Sequence, residues 1–245
     1  MKNLIVVGDS FCVGRRSSND DSKWPFFWPN LLADELKLNL LGAGFIGAGW
    51  WPVRNALKKF DQEQIDNTEA IVFCHSDVYR LLNSRTHQNT LRYGSNLDIN
   101  DEEQLAVKLY YKYILEDEFA EWAQQMWLHE ISDTYGHLKL IHLYCFPWTL
   151  KNIKSFPTGI SVFPALSSIS LNEFDHGPLD RKQTTIQKLA NDKRDNHLSA
   201  FNNKELARQL TEIIRNYSAK NTNLDVSKFQ LKTTKWFDID FWDLK

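Results

Sequence analysis

Three short stretches hold residue types suited to nucleophilic chemistry. The first is Gly8-Asp9-Ser10, where the apolar run of residues 2–7 gives way to a glycine, an acid and a hydroxyl. Gly, Asp and Ser also form ordinary strand-ending turns, so the triplet alone decides little. A serine hydroxyl attacks a carbonyl effectively only with three kinds of help. A base takes its proton, an orienting group steadies the base, and fixed donors meet the developing oxyanion. The base candidate is His197 in "KRDNHLSAFNNKELA", with Asp195 two positions earlier as orienting acid and Asp192 as its alternative. The third stretch, Cys74-His75-Ser76-Asp77, ends another apolar run, and its Ser76-Asp77 pair reads equally well as a helix N-cap.

The elements that must position these residues read as an alternation of strands and helices. Continuous apolar runs at residues 2–7, 69–74 and 137–146 predict buried strands, with a shorter one at 38–41 and another near 166–170. Helices are predicted from about Pro29, over residues 51–60, through the acidic-led second half of 81–136, and over 202–217. Such alternation implies an α/β fold in which a parallel sheet of about five strands is covered on both faces. Reactive loops of such sheets lie beyond the carboxyl ends of the strands. That rule gathers Gly8–Ser10, the glycine-rich loop 42–49, residues 74–77 and Pro147-Trp148 on one rim.

The order of these pieces resembles the SGNH, or GDSL-type, hydrolase family. Gly8-Asp9-Ser10 matches its first motif in full. In "NLLGAGFIGAG", Gly44 suits the glycine of the second motif, with Gly47 as competitor. The third motif, Gly-x-Asn-Asp, is altered to Cys74-His75-Ser76-Asp77, and the fourth, Asp-x-x-His, has Arg194 where the acid is expected. The resemblance implies a three-layer α/β/α, flavodoxin-like domain over residues 1–217, with a helical insertion at 81–136 and a C-terminal appendage at 218–245. It also implies a serine-dependent ester hydrolase in which Ser10 is nucleophile, His197 base and Asp195 orienter. The oxyanion donors would be the Ser10 and Gly44 amides and the Ser76 side chain. An acyltransferase using the same site, and a catalytically inactive binding or structural module, are the alternatives.

Further residues are candidates for holding a substrate. Asp9, Trp50, Trp51, Asp77 and Trp148 fall near the predicted rim, and aromatic faces there suit sugar rings, so an acetylated carbohydrate is one expected ester. Arg54 and Arg80 could meet a substrate anion, although solvated arginines are the ordinary case. Asp9, His75, Asp77 and His197 could gather a metal, but no paired-ligand motif supports one, and no metal or cofactor is expected.

The bulk properties narrow the partners. The 245 residues carry a net charge of -2, which gives no electrostatic reason to expect nucleic acid or an anionic membrane. Three distant cysteines read as buried thiols of a reducing compartment, not a disulfide framework. The opening apolar stretch is short for a signal peptide, and no run nears the roughly 18 residues of a spanning helix. A cytoplasmic protein acting on a small-molecule or carbohydrate ester is therefore expected, with its oligomeric state open.

Overall fold

The computed structural model of the chain describes residues 1–12, 27–42, 44, 48–80, 102–151, 153–170, 198, 200–218 and 220–230. Its centre is a parallel sheet built from β1 (Asn3–Gly8), β2 (Asn39–Leu41), β3 (Thr68–His75), β4 (Lys139–Tyr144), β5 (Ile160–Phe163) and β6 (Thr222–Asn223). The six strands lie in the order β2-β1-β3-β4-β5-β6, and every pairing is parallel. Seven helices are described: α1 (Trp28–Leu36), α2 (Trp50–Leu57), α3 (Gln62–Asp66), α4 (Glu102–Tyr113), α5 (Asp117–Tyr135), α6 (Pro147–Lys151) and α7 (Ala200–Arg215).

Strand alternation divides the core in two. Leu4, Val6, Val72, Ile141 and Leu143 join Trp28 and Leu32 of α1 and Leu206, Leu210 and Ile214 of α7 in one cluster. Ile5, Val7, Ile71, Phe73 and Leu140 join Val53 and Leu57 of α2 and Trp127, Leu128 and Ile131 of α5 in the other. This is the expected three-layer α/β/α arrangement, with helices on both faces of the sheet. Each fully buried aliphatic or aromatic side chain contributes about 1.5–3 kcal/mol relative to exposure, so both layers anchor the strands whose ends build the site.

The details depart from expectation in three places. The sheet has six strands instead of about five, and residues 166–170 form the 3₁₀ turn Leu166–Ile169 instead of a strand. The run that pairs with β4 is Ile160–Phe163, which stops where Pro164 has no N–H to give the ladder. Beyond residue 217, Thr222–Asn223 pairs with β5 as the edge strand, and Leu224 and Phe229 enter the α1/α7 core. The helical stretch expected within 81–136 is two helices. Ile114 and Leu115 both donate their amides to the Tyr110 carbonyl, Glu116 is extended, and Asp117 and Glu118 begin a new N-terminus where their charge suits the helix dipole. Among the described residues, no helix is long and apolar enough to cross a membrane.

Candidate active site

The carboxyl ends of β1, β2, β3 and β4 meet as the sheet topology requires. Gly8 lies in register with Cys74 and forms a parallel bridge with Gly44. Only glycine fits at position 8: a Cβ there would stand 2.5 Å from both the Cβ and the carbonyl oxygen of Cys74. Gly42, where β2 turns into the rim, has φ +83, and a Cβ would lie 2.5 Å from the Val6 carbonyl oxygen. The glycines of the first two loops are therefore dictated by close backbone approach.

Asp9 organises the rim. It is fully buried, and four donors surround its carboxylate. Oδ1 accepts the Phe11 N–H at 2.9 Å and the Cys145 thiol at 3.2 Å, and Oδ2 accepts Ser76 Oγ–H at 3.1 Å and Arg80 Nη1–H at 2.9 Å. With the Cys12 amide donating to the Asp9 carbonyl at 3.1 Å, this folds Ser10–Cys12 into a 3₁₀ turn and sets Ser10 at the strand end. Asp9 was expected against substrate; complete burial and four donors make it instead the post on which the β1, β3 and β4 ends are hung. Arg80 is likewise no solvated cation. It is buried, donates also to the Ala48 carbonyl at 3.1 Å, and lies 5.7 Å from the Phe146 ring centroid.

Two of the expected oxyanion donors, the Gly44 amide and the Ser76 hydroxyl, are already engaged. The Gly44 N–H donates to the Cys12 carbonyl at 3.0 Å, and the Ser76 hydroxyl is held by Asp9. Asp77 caps the turn after β3, accepting the Tyr79 N–H at 2.9 Å, as the N-cap reading of the sequence allowed. Trp148 falls in α6, at the carboxyl end of β4. His197, Asp195, Asp192 and Gly47 lie outside the described residues.

One chain of hydrogen bonds bears on both ends of the polypeptide. The Phe11 carbonyl, next to Ser10, accepts Trp28 Nε1–H at 2.8 Å, and the Trp28 backbone N–H donates to Asn203 Oδ1 at 3.0 Å. Asn203 Nδ2–H in turn donates to the carbonyl of the buried Leu198 at 3.0 Å.

On the α2/α5 side of the sheet, Trp50, His75, Ser76, Gln124 and Trp127 line a small cavity, with room of about 10 Å³ for the centre of a water-sized sphere. That is about the space one water requires. Gln124 is 2% exposed, and among the described residues its Oε1 has no hydrogen-bond partner. The sequence reading missed Gln124. Its signal was an amide in the α5 row of Ala120, Ala123, Trp127 and Ile131, a face otherwise buried in the core.

His75 meets His142 at 2.9 Å through Nε2 and Nδ1, and His142 Nε2 lies 2.9 Å from the Thr158 carbonyl oxygen. A carbonyl only accepts, so His142 carries its proton on Nε2 and offers Nδ1 to His75 Nε2–H. His75 Nδ1 is then the bare nitrogen of the pair. Burial holds His142 down to about 4 against the raising effect of the Thr158 bond, and burial, followed by the repulsion a second proton on the pair would meet at His142, holds His75 well below its ordinary value.

The remaining candidates behave differently. Burial pushes the Cys74 and Cys145 thiols up, so neither is a ready nucleophile, in keeping with the expected buried thiols. Arg54 is half-buried against Glu130, with contacts of 2.5 Å and 2.8 Å, and its guanidinium covers the Trp51 ring at 5.1 Å. Among the described residues, no group of three or more His, Cys, Asp or Glu side chains is arranged to hold a metal ion.

No protein-family model and no curated protein matches the chain. Among solved structures, the chain is similar to a protein assigned to the G-D-S-L family of lipolytic proteins from Desulfitobacterium hafniense DCB-2, with TM-score 0.43 and 10% identity over 87% of this chain and 99% of that one. It is also similar to a carbohydrate esterase whose active site displays divergent catalytic and non-catalytic binding functions, with TM-score 0.46 and 11% identity over 88% of this chain and 65% of that one. A third is a carbohydrate esterase family 2 enzyme with a carbohydrate binding domain from Corynascus thermopiles (Myceliophthora fergusii), with TM-score 0.40 and 11% identity over 88% and 66% of the two chains.

Proposed function

We propose that the chain is a serine-dependent ester hydrolase of the SGNH type. Ser10 Oγ attacks the ester carbonyl, His197 takes its proton and returns it to the leaving alcohol, and Asp195 steadies the imidazole. Water then attacks the acyl-enzyme with the same histidine as base. The Ser10 amide is one oxyanion donor, and the Ser76 hydroxyl and Gly44 amide join it by turning from Asp9 and Cys12 to the charged oxygen.

The observation that carries this reading is the tie from Phe11 through Trp28 and Asn203 to Leu198. It fastens the turn bearing Ser10 to the residue that follows His197 in sequence. The substrate class is a carboxylic ester, with acetylated carbohydrate favoured by Trp50 and Trp51 beside the rim.

A second reading, a module of the same fold that binds without turnover, is favoured by the donors already satisfied inside the protein. An engaged donor must give up one bond to make another, and losing one oxyanion donor typically costs about 10²–10³ in rate. Labelling with a fluorophosphonate decides between them. The expected result is a covalent adduct on the peptide containing Ser10, absent in Ser10→Ala. Folded wild-type protein that takes no label removes the nucleophile and leaves the binding module.

A further inference from the structure

Among the described residues, eleven large apolar side chains stand exposed, and seven of them fall between Leu105 and Met126. The concentration follows helical periodicity. On α5, Phe119, Trp122 and Met126 recur at three- and four-residue steps, so they share one face, turned away from Gln124, Leu128 and Ile131, which are buried on the core side. The Phe119 and Trp122 ring centroids are 6.0 Å apart. On α4, Leu105, Leu109 and Tyr113 recur at four-residue steps, and Ile114 follows at the corner. Tyr113 is 68% exposed, Phe119 57% and Trp122 56%.

Two quantities identify the occupant of this face. Taking a large side chain to offer on the order of 200 Å² when fully exposed, the seven offer roughly 700 Å². A standard protein interface removes about 800 Å² per partner, which the two helices together approach. Charge supplies the orientation. Lys112 stands exposed at the end of α4, and Glu116 and Glu118 stand exposed at the start of α5. Laying α4 antiparallel on α5 of a second copy brings Lys112 to those acids, and two-fold symmetry repeats the contact. The same acids repel an anionic lipid surface.

We propose that two copies of this chain pair through α4 and α5, each α4 lying antiparallel on the partner's α5. The Gln124 face of α5 is turned away from this interface, so pairing leaves the cavity beside His75 uncovered by the partner.

Sedimentation velocity on the full chain over a concentration series tests the proposal. The expected result is a monomer–dimer equilibrium for the wild type, shifted to monomer in Trp122→Glu and, independently, in Phe119→Glu. Both positions are exposed, and unchanged circular dichroism and thermal midpoints establish that each variant folds. Lys112→Glu and Glu118→Lys each weaken the dimer, and the double variant Lys112→Glu/Glu118→Lys recovers it. A wild type that stays monomeric throughout, or a dimer indifferent to Trp122→Glu and Phe119→Glu, overturns the proposal. Charge reversals without effect, or a double variant that stays weak, overturn the antiparallel pairing.

Discussion

Trp28 and Asn203, 175 positions apart, are joined by a hydrogen bond from the Trp28 backbone N–H to Asn203 Oδ1. The contact closes the α1/α7 layer at the rim, because Trp28 also holds the Phe11 carbonyl and Asn203 also holds the Leu198 carbonyl. Both side chains are buried, so neither bond has water as a ready substitute. Asn203→Leu should therefore leave a buried N–H and a buried C=O unsatisfied and lower stability by about 1–3 kcal/mol in urea denaturation. If Ser10 is the nucleophile, the variant should also label more slowly with fluorophosphonate while still folded. Unchanged stability and labelling would mean that the tie holds nothing.

Asp9 and Arg80 form the buried ion pair beneath the rim, at 2.9 Å with side chains 0% and 6% exposed. Removing one partner strands the other's charge. Asp9→Asn should cost about 3–5 kcal/mol, because among the described residues Arg80 retains only the Ala48 carbonyl and the Phe146 ring near its charge. Arg80→Met should cost less, since the Asp9 carboxylate keeps three donors from Phe11, Cys145 and Ser76. The double variant should be more stable than Asp9→Asn alone, and a double-mutant cycle by denaturant unfolding measures the difference. Additive single effects would show that the pair is not coupled.

Residue patterns revealed the layered fold and the gathering of the rim because both follow from local rules. Buried strands read as unbroken apolar runs, and parallel strands place their carboxyl ends together. Gly8-Asp9-Ser10 was visible as a strand end for the same reason. The role of Asp9 was not visible, since an acid in a turn and an acid buried under four donors have the same sequence neighbours. Cys145 and Arg80 reach it from 136 and 71 positions away. The β6 strand escaped notice because two polar residues, Thr222 and Asn223, carry no apolar pattern and pair through backbone alone. The His75–His142 contact was not visible because it runs across the β3–β4 ladder, where sequence separation is arbitrary.

Gln124 separates stability from binding. An amide oxygen buried without a partner is destabilising, and an apolar side chain of similar size removes that cost. Gln124→Leu should stabilise the free protein by about 1–2 kcal/mol, read as a higher urea midpoint at unchanged slope. A single water or a group of that size held between Trp50 and Trp127 should lose its amide partner in the same variant. A variant less stable than the wild type would show that Gln124 is satisfied by an internal water.

The His75–His142 pair sets a pH dependence whose sign follows from its burial. Both imidazoles are neutral in the folded protein, and His142 takes up a proton only near 4, whereas in the unfolded chain it does so near 6.5. Between those values the unfolded state binds the proton and the folded state does not. Stability from this residue is therefore full above about pH 6.5 and declines as the pH falls toward 4, by roughly 3 kcal/mol for the His142 shift. His142→Asn removes the titration while keeping a side chain able to donate to the Thr158 carbonyl. Urea midpoints measured at about pH 7 and about pH 4.5 should fall less in His142→Asn than in the wild type. Equal declines would assign the acid sensitivity to carboxylates such as Glu69 and Glu130, which their Lys139 and Arg54 partners hold below the ordinary range.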